Sequence, residues 1–121
     1  MTSEDLQKRL KSLAYKIVPL CEFLPQKKIS RIIEDQILRS AFSAAANYRA
    51  ACKGQSDKAF KSKLSIAFEE IDETLFWLEV ISDLNLTPTE QLTSIKKEAD
   101  ELTRILAATR KKLEEKAAIK S

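Results

Sequence analysis

Five carboxylates stand close together in this 121-residue chain, at Glu69, Glu70, Asp72, Glu73 and Glu79. Carboxylates gathered on one helix of a bundle are the raw material of di-iron sites. Those sites also draw Glu-x-x-His pairs from two further helices. The chain has no histidine, so neither that centre nor an imidazole general base can be assembled. Gly54 is the single glycine, which removes any glycine-rich phosphate cradle. No Ser-Lys spacing distinctive of nucleophilic catalysis occurs. The expectation is a protein that is no enzyme and carries no metal or cofactor. Its acids then serve ion pairs: in a hairpin turning near residue 55, Arg39 faces Glu70 and Glu73.

A second group is basic: Arg49, Lys53, Lys58, Lys61 and Lys63 flank the glycine, and only Asp57 lies among them. They are expected to converge where two helices meet, and repeated around an oligomer they would form a positive ring able to meet phosphates. The competing reading is a solvated helix end in a protein-protein adaptor or structural oligomer with no nucleic-acid role. The overall net charge of +3 decides little, because residues 26–55 carry +4 and residues 56–86 carry −4. Neighbouring segments of opposite sign pair with each other before they serve a partner.

Long helices must position these groups, since one glycine and three prolines are too few turn residues for an all-β protein. Leu6, Leu10, Leu13, Ile17, Leu20 and Leu24 alternate by four and three, the spacing of one helix face. Thr2 with Asp5 can cap that helix, and Pro19 inside it predicts a kink. Pro25 separates it from a second helix. Gly54 is expected as the left-handed residue that ends the second. Ser56-Asp57 starts a third, with Phe60, Leu64, Ala67, Ile71, Leu75, Leu78 and Ile81 inward. Thr87-Pro-Thr-Glu90 predicts a capping box for a fourth, whose charged end should fray. The fold expected is all-α: a single domain, an antiparallel up-down four-helix bundle with helices at about 3–24, 27–53, 57–85 and 88–117.

The stretch from Leu38 to Gly54 is unusually rich in small residues. Arg39, Asn47, Arg49 and Lys53 exclude a bilayer span, and what remains is a helix made for close approach. Asn47 and Tyr48 are the polar groups expected to be buried there, Asn47 bonding across the core or serving a subunit or ligand contact. Phe76, Trp77 and Val80, with Phe68, predict a second apolar stripe on the third helix that serves as a subunit interface. The N-terminus has no apolar core of a secretory signal, and no run approaches ~20 apolar residues. Free Cys21 and Cys52, with no CxxC motif, fit a reducing cytoplasm, where the sequon at Asn85 has no meaning.

Gln36-Ile-Leu-Arg-Ser-Ala41, Ser43-Ala-Ala-Ala-Asn-Tyr-Arg-Ala50 and Gln55-Ser-Asp-Lys-Ala-Phe-Lys-Ser-Lys-Leu-Ser-Ile66 follow in that order. Glu69-Glu70 and Asp72-Glu-Thr-Leu-Phe-Trp-Leu-Glu79 continue the series. Together they resemble the four-helix-bundle proteins encoded in 23S ribosomal RNA intervening sequences. The resemblance covers about residues 30–82 closely. It implies a small bacterial protein without enzymatic activity that assembles as a homo-oligomer, a ring of five. That family is similar to the accessory proteins of diversity-generating retroelements, pentameric barrels that bind nucleic acid and a reverse transcriptase. RNA and a reverse transcriptase are thus the partners the resemblance implies. The family's recurrent arginine, asparagine and acidic-tryptophan features fall on Arg39, Asn47, Glu70, Glu73 and Trp77. Ala45 and Ala50 stand where the family often has a glycine and an acid.

Overall fold

A computed structural model describes residues 1–120. Four helices account for nearly all of them: α1 (Ser3–Glu22), α2 (Lys28–Cys52), α3 (Asp57–Asp83) and α4 (Thr89–Lys120). No strand occurs among the described residues. Each helix packs on its neighbour in the chain, and α4 returns to α1 to close the bundle. Asp57 at the start of α3 meets Lys116 near the end of α4, and Phe68 meets Arg110. That order of contacts is the one antiparallel neighbours make.

The apolar stripe of α1 faces inward throughout, with Leu10, Leu13, Ile17 and Leu20 all at 1% exposure or less. Ile33 and Ile37 of α2, Leu64, Ile71, Leu78 and Ile81 of α3, and Leu102 and Leu106 of α4 complete the same core. Burying each such side chain contributes roughly 1.5–3 kcal/mol, and this packing, more than intrinsic propensity, holds the helices in place.

The small residues of α2 do what close approach requires. Ser40, Ala44 and Ala51 are fully buried, and the Ser40 hydroxyl lies 2.8 Å from that of Thr74 on α3. Each hydroxyl also lies within reach of a carbonyl of its own helix, Ser40 of Ile37 and Thr74 of Glu70. One donates across the seam and the other to its carbonyl, so neither is left unpaired. A leucine at any of these positions would hold the two helices apart.

The start of α1 meets expectation, and later helix ends differ from it. At the first, Thr2 and Asp5 form the predicted box: the Asp5 amide donates to the Thr2 hydroxyl at 3.1 Å, and the Thr2 amide donates to the Asp5 carboxylate at 3.0 Å. The Thr2 amide first, and the Thr2 hydroxyl second, hold the Asp5 carboxyl below its ordinary value. Helix α1 then continues through Pro19 to Glu22. At the second, Gly54 is not left-handed. A methyl group there would meet backbone atoms of Phe60, Ala51 and Ala59 at 3.0–3.3 Å, so glycine is needed for close passage of the chain and not for its φ.

The left-handed residue is instead Asn85, with φ 53°. Its amide bonds to the Ser82 carbonyl and that of Leu86 to the Ile81 carbonyl, the paired bonds of a Schellman ending to α3. At the fourth helix, the Thr87 hydroxyl is buried without a hydrogen-bond partner, and the helix starts at Thr89. The expected capping box is therefore not made. The far end of α4 does not fray either. Lys116 pairs with Asp57 at 2.8 Å, and Glu114 stands 3.9 Å from Lys61.

Helices α1 and α4 touch least of the four neighbouring pairs. Across that seam Arg9 grips Glu98 with two nitrogens, at 2.6 and 3.0 Å, and reaches Glu101 at 3.2 Å.

Candidate functional site

On the α2–α3 seam Arg39 forks between two acids, its nitrogens 2.6 Å from Glu70 and 2.5 Å from Glu73. The carboxylates of Glu73 and Glu70, in that order, raise the pKa of the guanidinium. The Trp77 indole donates to Glu73 at 3.2 Å, and the Phe76 ring meets Trp77 edge-on at 5.0 Å. Five residues singled out in the sequence thus form one connected group. Because Arg39 is about half exposed, at 47%, each pair contributes about 1 kcal/mol at most. The group orients the indole more than it stabilises the bundle.

Asn47 does not bond across the core. Its amide donates to the carbonyl and hydroxyl of Ser43, one turn back on its own helix, at 2.9 and 3.0 Å. Tyr48 is buried, and burial first and Cys52 second raise its phenol well above the ordinary range.

The expected second stripe on α3 is two faces. At 100° per residue Phe68 and Trp77 lie about 180° apart around the helix. Phe68 faces α4, where the Arg110 guanidinium covers its ring at 4.5 Å. Trp77 and Val80 are half-buried toward α2, and Phe76 stands out at 54% exposure. Ile66 on α3 and Ile32 on α2 extend that side with exposed apolar surface.

The basic residues also fan out around the bundle. Lys61 turns to α4 and Glu114. Lys63, one heptad before Glu70, lies on the α2–α3 side, and Lys58 is exposed at the start of α3. Asp57, the acid among them, is taken by Lys116. Arg49, Lys53, Lys58 and Lys63 form no ion pair among the described residues.

Arg49 points to a feature that sequence reasoning missed. It lines an open groove of about 550 Å³ between α1 and α2, together with Glu4, Lys8, Lys11, Tyr15 and Phe42 over a floor of Ala45 and Ala46. Tyr15 and Phe42 touch across it, ring centroids 6.1 Å apart, and the Lys11 ammonium lies 5.9 Å from the Tyr15 ring. The signal was present as a second periodicity: Glu4, Lys8, Lys11, Tyr15 and Val18 share a helix face beside the leucine stripe. Nothing in that pattern alone says which part of α2 lies opposite.

Among the described residues no cluster of three or more acids and cysteines is arranged to hold a metal ion. Among those residues no helix is long and apolar enough to cross a membrane. The family model of the 23S rRNA-intervening sequence protein matches residues 4–108. The chain belongs to this family. A crystal structure of a protein with unknown function from the S23 ribosomal protein family of Bacteroides thetaiotaomicron VPI-5482 superposes on it with a TM-score of 0.80. That relative is 33% identical, over 92% of this chain and 99% of its own. No curated protein matches the chain. The residues matched to the intervening-sequence family include Gln36 to Glu79, and Arg39, Glu73 and Trp77 within that span form the connected group.

Proposed function

We propose that this intervening-sequence family member is a noncatalytic helical scaffold that assembles with copies of itself, as a ring of five, and binds RNA. The observation that carries the RNA reading is the set of unpaired cations, Arg49, Lys53, Lys58 and Lys63, at the end of the bundle where α2 turns into α3. Asp57, the acid among them, is held by Lys116, which leaves these four cations available to phosphates. Self-association is supported by exposed Phe76, Ile66 and Ile32 beside the half-buried Trp77.

Binding of a structured RNA should weaken as salt rises, with a log-log slope of about −0.9 per phosphate contact on a duplex. Charge reversal at Arg49, Lys53 and Lys58 should abolish it. Unchanged binding in that variant overturns the RNA reading. For assembly, Trp77→Ala should lower the mass measured by light scattering while far-ultraviolet helicity survives. A fully assembled variant overturns the interface.

The alternative is a protein-protein adaptor or structural oligomer with no nucleic-acid role. The approach of Glu114 to Lys61 favours it, since it quenches one cation of the tip internally. A wild-type oligomer that ignores RNA at low salt would establish it in place of the scaffold.

A further inference from the structure

We infer that the groove between α1 and α2 takes an unpaired stretch of RNA, its bases against Tyr15 and Phe42 and its phosphates on Lys8, Lys11 and Arg49. This rests on the RNA reading above and names where, and in what form, the RNA is held. The argument begins with exposure. Tyr15 is 55% and Phe42 39% exposed, although both are large rings that a bundle of this size could have buried. Each offers an outward surface, and the floor beside them, Ala45 and Ala46, is low enough for a flat ring to lie against.

Charge chooses the occupant. Three cations line the groove against one carboxylate, Glu4, and none of the three forms an ion pair among the described residues. Lys8, Lys11 and Tyr15 follow one another along a single face of α1, spanning about 10 Å. On α2, Phe42, Ala46, Arg49 and Lys53 share a face in the same way, so the groove runs on to the basic turn before α3. Alternating aromatic surface and ammonium groups along a track is how proteins hold single strands, whose bases stack and whose phosphates pair. A duplex offers its phosphates but not its bases, which face each other inside it. A second copy of this chain is a poorer fit, because two rings and two methyl groups fall far short of the ~800 Å² a stable partner covers.

The test compares fluorescence anisotropy of a labelled unstructured RNA strand with that of a hairpin duplex. The single strand should bind more tightly. A Tyr15→Ala/Phe42→Ala double variant should weaken it roughly 10- to 100-fold without changing the salt slope, because stacking carries no counterions. Tyr15→Phe should keep the affinity. Lys8→Ala/Lys11→Ala should instead flatten the slope by about 0.7 per lost contact. All these side chains are on the surface, and a thermal melt confirms that each variant folds.

If the double variant binds as wild type while reversal at Lys53 and Lys58 abolishes binding, RNA sits on the tip alone and the groove inference falls. If the wild-type protein binds no RNA at low salt, the functional reading falls and the groove with it. If an acidic amphipathic peptide binds better than RNA and is lost in the double variant, the groove serves a protein partner and the inference is overturned.

Discussion

A methyl group at Gly54 would lie 3.0 Å from the Phe60 amide nitrogen and 3.1 Å from the Ala51 carbonyl oxygen. Both are backbone atoms within the turn, so relief requires the α2–α3 connection itself to open. Gly54→Ala should cost about 1–3 kcal/mol, as overpacking does, read as a lower urea midpoint at unchanged slope. Asn85 gives the opposite result, because its φ of 53° carries a side chain into left-handed space. Asn85→Ala should cost about 1 kcal/mol, and Asn85→Gly should be neutral or better. Gly54 was read as the left-handed stop because composition cannot distinguish a positive φ from a crowded turn. At Cys21, burial pushes the thiol up to about 12, with Glu34 and Glu22 adding to the shift. The unfolded thiol, near its ordinary 9.0, ionises first, so stability is intact below about pH 9 and declines as pH rises toward about 12. Native Cys21 should resist thiol reagents at neutral pH, and Cys21→Ala should remove its share of the alkaline decline. A native thiol that reacts as fast as the unfolded one would contradict this.

Among the elements, α2 is the one whose side chains set how near a neighbour can come. Ala44 is fully buried, whereas Ala46, half a turn round the same helix, lies open on the groove floor. Ala44→Leu should cost about 1–3 kcal/mol by forcing α2 from its neighbours, and Ala46→Leu should stay within about 0.5 kcal/mol. Equal melting temperatures for the two would refute that division of the helix. The inward stripes of α1 and α3 were legible because a 3-4 alternation encodes a face directly. Close approach at Ser40 and Ala44 was legible too, from small side chains flanked by regular apolar spacing. Other features depend on a partner helix. Phe68 and Trp77 are equally apolar in the sequence, but Arg110 covers one and Glu73 bonds to the other. The charged end of α4 read as a fraying tail because nothing in it names Asp57 and Lys61 as its anchors. The groove required the register of α1 against α2, which no single-helix pattern contains.

At the scale of the whole molecule, Arg49, Lys53, Lys58 and Lys63 lie toward one end of the bundle, and Lys8 and Lys11 line one groove. Shape follows the order of the chain, each helix lying against the next, so the closing contact is the one between its first and last helices. That closure is also the thinnest, and Arg9 with Glu98 and Glu101 holds it at a surface where each pair contributes little. Native-state hydrogen exchange should therefore rank the helices, with amides of α1 released at lower free energy than those of α2 and α3. Arg9→Ala should speed α1 exchange several-fold while leaving α2 and α3 nearly as protected. Uniform exchange across all four helices would refute the ranking. The Arg9 clasp then acts as a hinge pin in time: it sets how often the leucine stripe of α1 meets water, and how long the bundle stands ajar before it shuts.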